Sequence, residues 1–285
     1  MSGNIMSYEP MHIVLSADRK YAEQVITLVK SVCFYDTNVH FYLINKDYSN
    51  EWFKSLNQYL AYFHSEITNV SVQADFFQQL KTIAHVSDIS FYRCLIPQII
   101  QADKVLYLDS DIIVNGSLRE LYEHDISDYM LGAVEDYILS SRYFKHSILD
   151  CYPYFNSGVL LLNNKKWREI PDLQQKLLET IEQYNRQGGD LGDQDILNML
   201  FMHTWLPLHR KYNYQFGNYY YLQQLNHFEL YSEIMDINGQ QPLVIHYNCA
   251  YKPWVAGCEN QLDIEQRYWF FHRLEWAELI QYRTA

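Results

Sequence analysis

Cysteine is sparse and shows no pairing pattern. Cys33, Cys94, Cys151, Cys249 and Cys258 are five in number, and no two of them have C-x-x-C spacing. An odd count without that spacing excludes a disulfide framework or a zinc knuckle and points to reduced, mostly buried thiols. Positive charge is also in short supply. Lys and Arg total 22 against 34 Asp and Glu, a formal net charge of −12. A field of that sign repels nucleic acid and anionic membranes. It also repels a phosphate-bearing ligand unless the site carries local positive charge or a bound cation. No stretch approaches the ~18 continuous apolar residues of a membrane span. Met1 to Met11 lacks the basic and apolar regions of a signal peptide. Internal repeats, low-complexity tracts and clear linkers are absent as well. These absences predict a globular, cytoplasmic protein with no nucleic-acid partner and no transmembrane segment.

The chain does have the material for a core. Hydrophobic residues are 48% of its 285 and charged residues 20%, a globular composition. Apolar runs at Met11–Ala17, Val39–Ile44, Lys104–Leu108, Gly158–Leu162 and Leu243–His246 read as strands, with Val70–Val72 a weaker one. Between them lie helical patterns: the face Ala22, Val25, Ile26, Val29 and Cys33, a start near Ser49 or Asn50, Ser90–Ile100, Pro171–Gln187 and Asp193–Phe201. Such alternation predicts βαβ units and a parallel sheet, with ligands beyond the carboxyl ends of the strands. Leu206–Tyr221 has many tyrosines and little periodicity and reads as loop. Its rings suit either a saccharide cleft or the rim of a core. Ile264–Tyr282 reads as one terminal helix with arginines among aromatics. Docking of that helix onto the domain is favoured over a membrane surface, because Glu265, Glu275 and Glu278 dilute its basic face.

Lys104–Leu108 ends in Asp109-Ser110-Asp111, two carboxylates separated by one residue. In extended chain, i and i+2 point to one side, and two such acids resist joint ionisation in a dry site. A divalent cation with oxygen preference, Mg²⁺ or Mn²⁺, relieves the conflict and keeps positions open for phosphate. It also supplies the positive charge that the chain lacks. His246, at the end of the last strand, can complete such a site, and Lys252 offers a point charge for phosphate. Two surface aspartates in a solvated turn, a structural histidine and, for Asp193, a helix cap are the plain alternatives.

The segments VLYLDSDIIV (Val105 to Val114), FNSGVLLLN (Phe155 to Asn163), GDQDILN (Gly192 to Asn198) and HYNCAYKPW (His246 to Trp254) resemble, in order and spacing, the signature blocks of glycosyltransferase family 8. IVLSADRKY (Ile13 to Tyr21) and Arg93 add to the resemblance, which runs from about Met11 to about Trp254. It implies a GT-A type nucleotide-diphospho-sugar transferase fold, with a mixed, mostly parallel central sheet flanked by helices. The implied organisation is a single domain over 1–285: a donor-binding and catalytic core of about 11–254 and a helical extension of about 255–285.

The implied activity is retaining transfer of a hexose from UDP-galactose or UDP-glucose to a saccharide, glycolipid or glycoprotein. Mn²⁺ is the implied cofactor, with Mg²⁺ as the alternative. Asp109, Asp111 and His246 would be metal ligands. Ala17, Asp18 and Tyr21 would surround the uracil and its ribose. Arg93, Asp136, Asn156, Asp193 and Gln194 would surround the donor sugar, Lys252 would contact the diphosphate, and Ser110 joins the donor-binding set. Gln194, Asp193 and Asp136 are the candidate catalytic residues. Lys20 and Cys249 depart from the family pattern, and Cys249, where glycine is usual, leaves a non-catalytic nucleotide-sugar-binding or glycan-binding protein as the second reading. A metal-dependent phosphatase, from the D-x-D alone, is the third.

Overall fold

A computed structural model describes residues 9–72, 90–140, 153–189, 192–226, 232, 235–248, 250–255 and 262–284. The strands, in chain order, are β1 (Met11–Ser16), β2 (Val39–Asn45), β3 (Glu66–Ser71), β4 (Lys104–Leu108), β5 (Ile112–Val114), β6 (Leu131–Glu135), β7 (Phe155–Asn163), β8 (Trp205–Pro207), β9 (Tyr214–Gln215) and β10 (Val244–His246). The longer helices are α1 (Ala22–Tyr35), α2 (Asn50–Leu60), α3 (Leu173–Arg186), α4 (Asp193–Phe201), α5 (Gly217–Gln224), α6 (Asp263–Arg273) and α7 (Trp276–Thr284).

Seven strands form one sheet in the order β3-β2-β1-β4-β7-β6-β8, and three form a second in the order β5-β10-β9. The strands read from periodicity are present, but β3 is longer than Val70–Val72 because its outer face is solvated and breaks the apolar run. The large sheet is mostly parallel. β7 is the exception and runs antiparallel to both β4 and β6. Reversing β7 brings its first residues, Phe155 to Gly158, to the edge where β1, β4 and β6 end.

Both faces of the large sheet are covered, so its strands are apolar at consecutive positions rather than alternating with polar ones. Ile13, Leu15, Phe41, Leu43, Leu106 and Leu108 face one core. Val14, Ile44, Val105, Tyr107, Leu160 and Leu162 face the other. Burial of this kind contributes roughly 25 cal/mol per Å² of apolar surface.

The terminal helix of the sequence reading is two helices, α6 and α7. The chain turns at Leu274, whose backbone is extended (φ −62°, ψ 121°). α6 docks on α1. Arg267 lies over the Phe270 and Phe271 rings and donates to Asn115 (2.8 Å) and to the Tyr35 hydroxyl (2.5 Å). Its guanidinium is therefore engaged within the domain. Among the described residues no helix is long and apolar enough to cross one. The tyrosine-rich stretch is also more ordered than expected: it holds β8, β9, a 3₁₀ turn at Arg210–Tyr212 and the start of α5. Tyr212 and Tyr214 are buried there, which favours the core-rim reading for those two rings.

Candidate active site

The acidic pair sits at the junction of the two sheets. Asp109 follows β4, and its N–H extends the ladder by donating to the Gly158 carbonyl at 2.8 Å. Asp111 precedes β5, and its carbonyl accepts from the Tyr247 N–H at 3.0 Å. β10 pairs antiparallel to β5 with His246 opposite Ile112, which delivers the imidazole to the acids from more than 130 residues along the chain. One ligand atom from each of Asp109, Asp111 and His246 lies within 4.8 Å of the others. His246 Nε2 is 3.2 Å from Asp111 Oδ1 and 3.8 Å from Asp109 Oδ2. Asp111 Oδ1 is buried and accepts no hydrogen bond. Gly158 leaves the space beside them: a Cβ there would stand 2.2 Å from His246 Cε1 and 2.9 Å from Asp109 Oδ2. An orphaned carboxylate oxygen, an imidazole nitrogen beside it and a cradle that a methyl group would fill together fit a divalent cation.

The other oxygens of the acids are spoken for. Asp109 Oδ1 accepts from Arg93 Nη2 (2.9 Å) and from the Tyr107 hydroxyl (2.8 Å). Asp111 Oδ2 pairs with the Lys252 ammonium, which also donates to the Tyr247 carbonyl. Burial alone would raise the Asp111 pKa. The His246 ring, when protonated, and Lys252 outweigh it and hold the carboxyl below the usual carboxylate range.

Arg93, in a 3₁₀ stretch over Ser90–Leu95, is buried and links Asp109 to Asp193. Its Nε lies 3.0 Å from Asp193 Oδ2, its Nη1 donates to Ser157, and its guanidinium stacks over Tyr107 at 4.6 Å. These neighbouring acids favour its charged form against burial. Burial in turn raises the Asp193 pKa even with Arg93 beside it. Asp193 does not cap α4. The N-cap is Gly192, with no side-chain cap bond, and the Asp193 carboxylate is turned toward Arg93 instead.

Gln194 is held at both ends. Its Oε1 accepts from the Ser157 N–H (3.0 Å) and from Asn156 Nδ2 (3.1 Å), and its Nε2 donates to Asp136 Oδ2 (3.1 Å). Asp136 also receives the N–H groups of Ile138 and Leu139 on Oδ1. Ala17 and Asp18 follow β1. The Asp18 carboxylate accepts from the Lys20 N–H, and its carbonyl accepts from the Tyr48 hydroxyl. Tyr21 is 37% exposed, with Lys252 and Asp111 close enough to act on its hydroxyl. Ser110 is buried and donates to the Ser16 carbonyl at 2.9 Å, which ties the acidic loop to the end of β1. The expected site residues thus gather where the two sheets meet, around the ends of β1, β4 and β6, the start of β7 and the end of β10.

Three features escaped the sequence. Gly158 was visible only as part of a motif. Asn213, whose Oδ1 lies 3.0 Å from His246 Nδ1, lay in the stretch read as loop. Asp195 is fixed by two buried tyrosines, with Tyr154 donating to one oxygen and Tyr184 to the other (2.5 Å), which locks the first turn of α4. Cys33 and Cys94 are buried and unbridged, and burial pushes both thiols above their ordinary pKa. Cys151, Cys249 and Cys258 lie outside the described residues. A cavity of about 930 Å³ lined by Phe34, Trp269, Phe270 and Tyr282 lies against the terminal helices and contains none of these groups.

The family model described as glycosyl transferase family 8 matches residues 12–258. Glycosyltransferase GlyA of Streptococcus pneumoniae is 38% identical over 96% of this chain and 36% of its own length. General stress protein A of Bacillus subtilis is 25% identical over 95% of both. Among solved structures, galactosyltransferase LgtC in complex with donor and acceptor sugar analogs superposes with a TM-score of 0.76 at 29% identity, covering 92% of this chain and 95% of that one. The fold is the GT-A type that LgtC has. The chain spans 32–64% of the length of the pneumococcal relatives GlyA, GlyF, GlyB, GlyD and GlyE.

Proposed function

The chain belongs to glycosyl transferase family 8, and from that membership we propose a glycosyl-transferring enzyme, a retaining hexosyltransferase that moves galactose or glucose from a UDP-sugar to a saccharide, glycolipid or glycoprotein. The observation that carries this reading is the gathering of Asp109, Asp111 and His246 within 4.8 Å, with one buried carboxylate oxygen unbonded. Mn²⁺, with Mg²⁺ as the alternative, suits that donor set of two carboxylates and one imidazole. Around it Asp109 and Asp193 pair with Arg93 and Asp111 pairs with Lys252, while Asp136 is joined to the cluster through Asn156 and Gln194. Two negative charges are left over, which a divalent cation balances.

When bound, the cation supplies Lewis-acid stabilisation of the departing diphosphate. Lys252, already at the edge of the cluster, is the side chain that adds a proton donor to that diphosphate. Ala17, Asp18 and Tyr21 at the end of β1 suit the base and ribose, and Ser110 holds their loop to the acidic loop. Arg93, Asp136, Asn156, Asp193 and Gln194 suit the donor sugar.

The Gln194 amide is a weaker nucleophile than a carboxylate. With Oε1 accepting two hydrogen bonds, it fits a stabiliser of departure and attack on one face of the sugar. Asp193 is engaged by Arg93 and Ser157 in the same way. The cytoplasm, where nucleotide sugars and reduced thiols coexist, is the compartment this reading places it in.

Purified protein with Mn²⁺ and a panel of UDP-sugars is the direct test. Slow release of UDP is expected from UDP-galactose or UDP-glucose, and EDTA should stop it. Asp111→Asn should slow it by roughly 10²–10³-fold, the scale for losing one electrostatic stabiliser. No binding of any UDP-sugar at millimolar concentration would overturn the reading. Binding without turnover on water or any saccharide would favour the non-catalytic alternative.

A further inference from the structure

We infer that Asn213 is a positioning residue that sets the tautomer of His246 and couples it, through Asn156, to Gln194 and Asp136. The inference rests on the reading above for its consequences, but the hydrogen bonds stand by themselves. Asn213 is fully buried between the 3₁₀ turn Arg210–Tyr212 and β9. Its Oδ1 lies 3.0 Å from His246 Nδ1, and its Nδ2 donates to Asn156 Oδ1 at 2.8 Å. Asn156 Nδ2 donates to Gln194 Oε1 at 3.1 Å and to Asp136 Oδ2 at 3.4 Å, and Gln194 Nε2 donates to Asp136 Oδ2 at 3.1 Å. One continuous line of amides therefore joins the imidazole to the acid on the far side of the site.

Backbone donors fix the direction of that line. The two ends of a carboxamide look alike, and orientation must come from partners. The Gly158 N–H can only donate, and it points at Asn156 Oδ1 from 3.1 Å. That end of Asn156 must be oxygen, so Asn213 presents its NH₂ to it and its oxygen to His246. A carbonyl oxygen only accepts, so the proton of a neutral His246 sits on Nδ1. Nε2 is left with a lone pair, 3.2 Å from the unbonded Asp111 Oδ1. At the other end, the Ser157 N–H donates to Gln194 Oε1 at 3.0 Å, which makes Nε2 the group that meets Asp136. Two consecutive N–H groups of β7 thereby set both the lone pair offered to a cation and the face Gln194 turns to a sugar.

Two substitutions separate the two ends of the line. Asn213→Leu removes the acceptor from Nδ1. Partners of this kind orient a ligating imidazole, and their loss costs about 10–100-fold in metal affinity. Mn²⁺ affinity, measured by calorimetry or by electron paramagnetic resonance of the free ion, should fall by that factor. Asn213→Asp keeps an acceptor for Nδ1 but faces the Asn156 oxygen with a second acceptor. Its Mn²⁺ affinity should match or exceed that of the unmodified protein. Its UDP-sugar hydrolysis at saturating Mn²⁺ should fall by about tenfold or more, as expected when a catalytic amide is misplaced.

Imidazole ¹⁵N shifts of the metal-free protein, taken at a pH high enough to leave His246 neutral, give a readout that needs no activity. His246 should show the Nδ1–H form in the unmodified protein and lose that preference in Asn213→Leu. Melting curves show whether each variant is folded. Unchanged Mn²⁺ affinity and an unchanged tautomer in folded Asn213→Leu would overturn the inference. So would equal losses of metal affinity in both variants, which would mark a purely structural role. If the unmodified protein binds no Mn²⁺, the donor-site reading falls, while the ¹⁵N spectrum still decides the role of Asn213.

Discussion

Gly158 shows how much of the site depends on an atom that is not there. Any side chain at this position would strike the His246 ring and the Asp109 carboxylate. The backbone there lies in ordinary strand β7, so conformational freedom is not what the position requires. Gly158→Ala should therefore leave the fold intact and displace the imidazole. The expected outcome is a loss of about tenfold or more in Mn²⁺ affinity, with a modest change in melting temperature. A calorimetric titration matching the unmodified protein would refute it. At this scale the sequence was legible where chemistry follows residue type. Asp109, Asp111 and His246 announce themselves as carboxylates and an imidazole at strand ends. Gly158 and Asn213 did not, because their roles depend on what surrounds them. Asp195 reads as one more acid in GDQD, and only the two tyrosine hydroxyls aimed at it reveal an anchor for the helix that carries Asp193 and Gln194.

The strand starts carry a different chemistry from the strand ends. His12 on β1, His40 on β2 and Glu66 on β3 are neighbours in register. His12 and His40 both bond to the Tyr42 hydroxyl at 3.1 Å, and His40 stacks on the Tyr42 ring at 4.1 Å. Burial lowers the pKa of each histidine. His40 lowers that of His12 further, while Glu9 and Glu66 pull the other way. A histidine with a lowered folded pKa binds fewer protons folded than unfolded. Its contribution is present above the ordinary value near 6.5 and is lost as pH falls through the lower folded value. Thermal stability should therefore decline as pH falls below about 6.5, and His40→Gln should flatten that decline. A melting temperature that holds steady across this range would contradict the assignment.

The elements missed or misjudged share a cause. Leu131–Glu135 is short and buried on both faces, so no periodicity marks it. Gly217–Gln224 is helical with rings on most sides and no apolar stripe. The break between α6 and α7 falls at a leucine, a residue that carries no turn signal.

For the whole molecule, the charge of −12 would repel an anionic donor everywhere except at a site that carries a cation. A ligand that binds the folded state alone stabilises it by mass action, by about 2.7 kcal/mol at a hundredfold excess over Kd. Mn²⁺ should accordingly raise the melting temperature by several degrees, EDTA should reverse the rise, and Asp111→Asn should show none. An equal rise in the variant would place the ion elsewhere. The family fold was legible because its blocks fall at the strand ends that build the site. The reversal of β7 was not, since a strand buried on both faces reads the same in either direction.

Asp109 closes a strand of the large sheet and Asp111 opens a strand of the small one, with a single serine between them. An ion gripping both is a rivet through the seam between two plates. Its grip senses any slippage of one plate against the other, so crowding or hollowing the small plate at Ile113 or Val244, out of reach of any sugar, should register first as a looser rivet.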